Sequence, residues 1–175
     1  MDRTVVRCCL AGLALAFFAP AAMGAPQGDV KCTVLASGTY TAESGQRVSA
    51  PGTPTGMSQI IRSDTVRFTS ASHTVPARLG VRFGLRFVVT GLPASTTVNF
   101  RKIVAFPPMR KPDGTVTKGY ERTVSYKTDA EGAVTNAIEG YGFDYPYEIV
   151  PGEWRFELWY GDRKVTEQVF DVVAQ

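Results

Sequence analysis

The chain has little of what most chemistry requires. Among 175 residues there is one histidine, His73, and there are three cysteines, Cys8, Cys9 and Cys32. So few imidazoles and thiols cannot supply an ordinary zinc ligand set. No Gly-x-Ser-x-Gly or other nucleophile turn occurs, so a Ser-His-acid arrangement would have to join His73 to Asp64 or Asp144 and a serine without a local signature. Asp129, Glu131 and Asp171 lack the ordered oxygen-ligand loop of a calcium site. Asp144 with Glu148 is a carboxylate pair of a kind found in any β-protein with this many acids. Asn99 and Asn136 precede Phe-Arg and Ala-Ile, so there is no N-glycosylation sequon. Helix-period apolar runs, repeats and low-complexity tails are absent beyond residue 24. These absences imply no catalytic residue, no metal and no cofactor, and point away from an enzyme.

What is present begins with an export signal. A short basic segment to Arg7 leads into an apolar run from Cys8 to Ala19 and a small-residue exit, Ala22-Met23-Gly24. This pattern predicts a secretory signal peptide, residues 1–24, cut after Gly24. The run is shorter than the roughly 20 residues of a membrane-spanning helix, so no stable membrane insertion is expected after cleavage. Cys8 and Cys9 precede the apolar run rather than closing it, which argues against a lipid anchor. Removal of the signal leaves Cys32 alone and excludes an intramolecular disulfide. Residues 25–175 then form a single domain that must rest on its core. The expected location is periplasmic or secreted, which makes nucleic acid an improbable partner.

Charge is uneven along the chain. Residues 25–110 carry ten Lys and Arg against Asp29, Glu43 and Asp64, whereas residues 111–175 carry seven against twelve acids. A basic face could steer an anionic partner; if the halves form adjacent strands, their charges instead neutralise one another as solvated cross-strand pairs.

Alternation dominates the body of the chain. Strands are expected near 30–41, 58–69, 79–90, 96–106, 118–127, 135–143, 152–160 and 164–173, separated by Gly and Pro turns. Pro107-Pro108 ends one strand, and only the turn-rich 43–57 loop is long enough to suspect of function. An all-β, immunoglobulin-like antiparallel β-sandwich of about seven to eight strands follows. In the last hairpin, a tight Gly161-Asp162 turn would put Phe156 opposite Glu167 and leave Phe170 and Val172 on the wrong parity. A β-bulge between Val165 and Val169, or a longer loop, is therefore predicted. Val30, Cys32 and Val34 alternate with polar residues, so Cys32 reads as a small core residue.

Two patterns suggest a surface site. Leu79, Val81, Phe83, Leu85, Phe87 and Val89 share one face of a strand, and Arg78, Arg82 and Arg86 share the other with Gly80 and Gly84. Three forked cations in a row suit an anionic ligand. Trp154, Phe156, Leu158 and Tyr160 are an inward set, whereas Trp159 puts a large aromatic on the face marked polar by Arg155 and Glu157. Arg78, Arg82, Arg86 and Trp159 are the candidate ligand-binding residues. The structural alternative pairs those arginines with Glu153 and Glu157 and lays Trp159 over them.

Several ordered blocks carry a family resemblance: Pro76 through Gly84, Pro107-Pro108-Met109, Gly140-Tyr141-Gly142-Phe143-Asp144, and Val150 through Glu157 with Trp159-Tyr160-Gly161. Together they resemble an uncharacterised bacterial family of exported β-rich domains, a domain of unknown function, over about Leu35 to Val173. The resemblance implies no catalytic residue. The expected function is an envelope-associated, non-catalytic binding or accessory module with a protein or glycan partner. The alternatives are an assembly subunit using an open sheet edge and a hydrolase of envelope polymers.

Overall fold

A computed structural model describes residues 29–43 and 45–174; the expected signal segment, with Cys8 and Cys9, lies outside the described residues. In chain order the strands are β1 (Lys31–Thr41), β2 (Arg47–Ser49), β3 (Met57–Gln59), β4 (Arg67–Ser70), β5 (Thr74–Pro76), β6 (Arg82–Thr90), β7 (Thr97–Arg110), β8 (Val116–Lys127), β9 (Val134–Gly142), β10 (Gly152–Tyr160) and β11 (Arg163–Val173). A four-stranded sheet ordered β4-β1-β6-β9 packs on a five-stranded sheet ordered β5-β11-β10-β7-β8, and β2 pairs with β3 as a separate ribbon. The fold is thus an all-β sandwich.

Between the sheets the apolar phases of β6, β9, β10 and β11 meet. Phe83 is fully buried and sits 5.7 Å from Trp154, 5.6 Å from Phe156 and 5.3 Å from Phe170, ring centre to ring centre, all edge-on. Edge-to-face contact sets the positive rim of one ring against the negative face of the next, which adds to the gain from burial. The indole N–H of Trp154 donates to the Val150 carbonyl at 2.9 Å, so its single polar atom is not stranded.

The last hairpin does contain a bulge. Tyr160 pairs with Arg163 and Trp159 with Lys164, but Leu158 then pairs with Thr166, leaving Val165 as the extra residue. Phe156 consequently faces Gln168, and Phe170 and Val172 return to the core.

Four expectations about the strands need correction. Residues 58–69 are not one strand: the chain leaves β3 at Gln59, forms a 3-10 turn at Ser63–Thr65 and re-enters the sheet at Arg67. Thr65 closes that turn by donating its hydroxyl to the Arg62 carbonyl at 2.8 Å, a local bond that competes with the ladder. The strand expected from Leu79 starts at Arg82, because Gly80 has φ +81° and Val81 donates back to the Arg78 carbonyl; Leu79 is consequently solvent-exposed. Pro107-Pro108 does not end β7. The register slips between Ala105 and Met109, so two residues without N–H groups are carried in a bulge, and the strand runs on to Arg110. Finally, the sandwich is not wholly antiparallel. After β4 the chain crosses to the other sheet, and β5 lies parallel to β11, pairing Thr74 with Asp171 and Val75 with Val172.

Candidate functional site

The sandwich opens along the flank between edge strands β8 and β9, and there its interior is polar. On β7 the inward phase runs Val98, Phe100, Lys102, Val104, Phe106; on β9 it runs Ala137, Glu139, Tyr141. Lys102 is only 3 % exposed, and its ammonium donates to Glu139 across the two sheets at 2.5 Å and to the Gly140 carbonyl at 3.2 Å. The Tyr126 hydroxyl donates to the other carboxylate oxygen of Glu139 at 2.5 Å. Arg122, paired with Lys102 in the β7–β8 ladder, points into the same space.

Burial alone would neutralise both members of the pair, yet each is held charged by the other. Desolvation is the largest influence on Glu139 and pushes its pKa up, but the charge of Lys102 and the hydrogen bonds from Lys102 and Tyr126 bring it below the ordinary carboxylate value. Likewise, burial pulls Lys102 down, but the Glu139 carboxylate brings it above the ordinary ammonium value. Tyr126 is raised well above its usual value by burial first and then by the Glu139 charge.

The β2–β3 ribbon roofs this flank. Arg122 donates to the Ser58 hydroxyl at 3.1 Å, and Arg47 donates to Asp144 at 3.1 Å and to the Tyr145 hydroxyl at 3.2 Å. Beneath the roof is a cleft of about 160 Å³, with Thr55, Ser58 and Gln59 above and Lys102, Tyr120, Arg122, Glu139 and Tyr141 below. Gly140 and Gly142 make the β9 side of it. A Cβ at Gly140 would lie 2.9 Å from the Tyr40 hydroxyl, so the Tyr40 ring occupies the space a side chain would need and reaches the cleft from the outer face.

Glu148 also borders the cleft, but its oxygens are engaged. It accepts from the Tyr141 hydroxyl at 2.5 Å and from the backbone N–H groups of Asp144 and Tyr145 at 2.8 Å each. Burial raises its pKa, with these three donors opposing the shift. The Asp144–Glu148 pair singled out in the sequence is therefore a turn-capping device. Among the described residues, no group of three or more His, Cys, Asp and Glu side chains is placed to hold a metal ion.

The four sequence candidates do not form one patch. Arg82 borders the cleft, with its guanidinium 3.8 Å from Asp144. Arg78 lies on the turn before β6, in a shallow groove it shares with Arg82. Arg86 clasps the loop before β4, donating to the carbonyls of Ser63 at 3.2 Å and Val66 at 2.9 Å, and lies over Phe68. Trp159 stands on the opposite sheet, flanked by Arg101 at 4.8 Å and Lys164 at 5.8 Å, and its indole N–H donates to Glu157. The suggested partners Glu153 and Glu157 belong to Arg155 and Lys164 instead. Strand alternation assigns a face within a sheet but not which sheet, and that is why residues of β6 and β10 cannot be joined from sequence.

The charged halves of the chain do meet. Arg47 and Arg82 reach Asp144, Arg101 reaches Glu121, Lys102 reaches Glu139, and Arg163 reaches Asp29. His73 lies between Ser37, 2.7 Å from its Nε2, and Gln168, 3.3 Å from its Nδ1. Cys32 is half-buried against the core, and burial raises its thiol pKa. Sequence reasoning passed over Lys102, Arg122 and Glu139, although a charge at an apolar phase of an alternating strand is a visible signal.

None of the curated proteins matches this chain. Among solved structures, an immunoglobulin-like protein from Pseudomonas aeruginosa is similar, with 22% identity, a TM-score of 0.60, and coverage of 85% of this chain and 100% of that one. The likeness shows an immunoglobulin-like fold. A family described as a domain of unknown function, DUF3859, matches residues 30–172. With nearly every described residue inside that match, the cleft and core included, the chain belongs to the DUF3859 family.

Proposed function

We propose that the protein is an exported, envelope-associated binding or accessory module without catalytic activity, which engages a protein or glycan partner through the cleft beneath the β2–β3 ribbon. The observation that carries this reading is the Lys102–Glu139 pair, buried between the sheets at the point where the sandwich opens onto a roofed hollow. A buried ion pair commonly adds no more stability than apolar residues of similar volume. Its placement at the cleft is therefore better accounted for by recognition than by folding. Export rests on the basic, apolar and small-residue order of residues 1–24.

The two alternatives have less support. β8 is a long edge strand, but Lys118, Glu121 and Lys127 stand exposed along it, and charged edges resist strand addition. For hydrolysis, Ser37 beside His73 lacks a carboxylate to orient the ring. The Gln168 amide nitrogen already donates to the Val169 carbonyl and faces His73 Nδ1. A neutral amide in the place of a carboxylate does not stabilise the imidazolium that would form on taking the Ser37 proton.

Two measurements test the reading. Intact mass of exported protein should show a chain beginning Ala25-Pro26; a species retaining Phe17 and Phe18 would contradict export. Immobilised mature chain should retain material from an envelope extract, and Gly142→Leu should abolish that retention without unfolding. At Gly142 only the flexible Arg82 side chain lies close to an added Cβ, at 3.1 Å. Equal retention by both chains would exclude the cleft as the binding site.

A further inference from the structure

We infer that the first half of β1 is an open edge at which two copies of this chain pair antiparallel across a two-fold axis, joining their four-stranded sheets into one. The edge lies on the flank opposite the cleft, so the inference goes beyond the binding reading above and is independent of it.

β4 covers only the far end of β1. It pairs with Thr39, Tyr40 and Thr41, whereas β6 pairs with β1 from Lys31 to Tyr40 on the other side. Residues 31–36 therefore have a ladder on one side, and among the described residues no strand lies along the other. Alternate peptide groups of an edge strand point away from its one neighbour and stay unpaired. The side chains show the same gap. Val34 stands opposite Phe87, which is in the core, so it shares the inward phase of β1, yet it is 38 % exposed. Leu35, the extra residue between the pairs Val34 with Phe87 and Ala36 with Arg86, is 55 % exposed. A valine in the inward phase that remains open to solvent marks the place a further strand would cover.

The occupant has to be an extended strand, since only a strand answers a line of alternating N–H and C=O groups. Charge and length narrow the choice. Residues 32–41 carry no charged side chain. β8 carries Lys118, Glu121 and Lys127, the free part of β11 carries Arg163, Lys164 and Glu167, and β9 faces the roofed cleft. β4 and β5 have four and three residues, and β5 ends on Pro76. Among these edges, β1 of a second copy is the one that meets β1 without enclosing a charge. A two-fold axis at Thr33 sets Thr33 against Thr33, each Cys32 against Val34 of the other copy in the inward phase, and each Lys31 against the uncharged Leu35. The exposed inward valine is then covered. Such an interface is isologous and closes as a dimer, whereas β1 on any other edge would continue head to tail. Both strands are already held by β6, so pairing does not incur the ordering cost that a disordered peptide would bring.

The test is sedimentation velocity of the exported protein from about 10 μM to about 1 mM, the range that a small interface calls for, with amide hydrogen exchange at both ends of the series. The sedimentation coefficient should rise with concentration to that of a dimer and no further, and amides within residues 31–36 should gain protection in step. Thr33→Lys sets two ammonium groups against each other at the axis, and Leu35→Lys sets one against Lys31 of the other copy. Both positions are exposed in the single chain, so each variant should keep the wild-type denaturant midpoint while its dimer dissociation constant rises at least about tenfold. Gly142→Leu, on the opposite flank, should dimerise as wild type does, so the retention experiment and this one fail separately. A chain that stays monomeric throughout would overturn the inference, and protection of residues 31–36 in that monomer would assign the edge to residues 25–28 of the same chain. A dimer that survives both lysine substitutions would place the interface elsewhere, and growth past the dimer would replace the two-fold pairing by a head-to-tail one; either result overturns the inference.

Discussion

The interior of this sandwich has two ends that obey different rules. Around Phe83 the inward positions are aromatic, buried and in mutual contact, and the Trp154 indole N–H is satisfied by a backbone carbonyl. Between β8 and β9 the inward positions of the same two sheets are Lys102, Arg122, Tyr126 and Glu139, and a hollow lies beside them. The first end satisfies the hydrophobic requirement of the fold; the second forgoes apolar burial where the chain already has enough.

Breaking either end should be costly, for different reasons. Trp154→Ala should lose about 3 to 5 kcal/mol by leaving a cavity among four aromatic neighbours. Its denaturant midpoint should fall far below wild type, and an unchanged midpoint would mean that this end is not the core. Glu139→Leu alone should lose a comparable amount, about 3 to 5 kcal/mol, because it strands the Lys102 ammonium without water or counter-charge. The contrast lies in rescue: the Trp154 volume has no single partner whose removal offsets its loss, whereas adding Lys102→Met to Glu139→Leu should recover the loss except for about 1 to 3 kcal/mol from the Tyr126 hydroxyl left without its acceptor.

Acid should act on the polar end in a defined direction. Glu139 has a folded pKa below its ordinary 4.5, so its contribution is fully present above pH 4.5 and is lost as pH falls through the lowered value. Glu148 is shifted upward by burial and acts oppositely: its contribution is greatest below pH 4.5 and declines as pH rises through the raised value. Denaturant midpoints between pH 3 and pH 6 should therefore fall more steeply toward acid for Glu148→Gln than for wild type. Glu139→Gln should flatten the acid limb, and a limb unchanged by both substitutions would remove these two carboxylates from the acid response.

Much of the sandwich was legible because alternation with a period of two is imposed by the pleat itself. Phe83, Phe87, Trp154 and Phe156 declared their face, and the parity conflict between Phe156 and Phe170 required either a bulge between Val165 and Val169 or a longer loop, of which the bulge, at Val165, is present. Local bonding was less visible. The Thr65 turn and the glycine at Gly80 broke segments whose composition reads as strand, and the paired prolines after Phe106 were absorbed in a bulge rather than ending β7. The cleft was the least legible part. Its residues come from β1, β3, β6, β7, β8 and β9, and only the sheet order brings them together. The turn-rich 43–57 loop was suspected for its length alone, and residues 47–57 of it form β2, the connecting turn and the start of β3, which make the roof.

The exposed residues should matter least to folding. Arg78→Ala, on an exposed turn with no ion-pair partner within reach among the described residues, should change stability by less than about 0.5 kcal/mol. Arg86→Ala should cost more, about 1 kcal/mol, because two loop carbonyls lose their donor. Equal effects would mean that the clasp on the 63–66 loop does not contribute.

The claim that the polar end serves recognition rather than stability is tested most directly by the double variant Lys102→Met with Glu139→Leu, followed by denaturation and the envelope-extract retention assay on the same sample. The account predicts a midpoint well above that of Glu139→Leu alone, since apolar residues of similar volume replace a buried ion pair with little loss, together with loss of retention. A midpoint no higher than that of Glu139→Leu alone, with retention intact, would contradict it, assigning the pair to the fold and the cleft to some other groups.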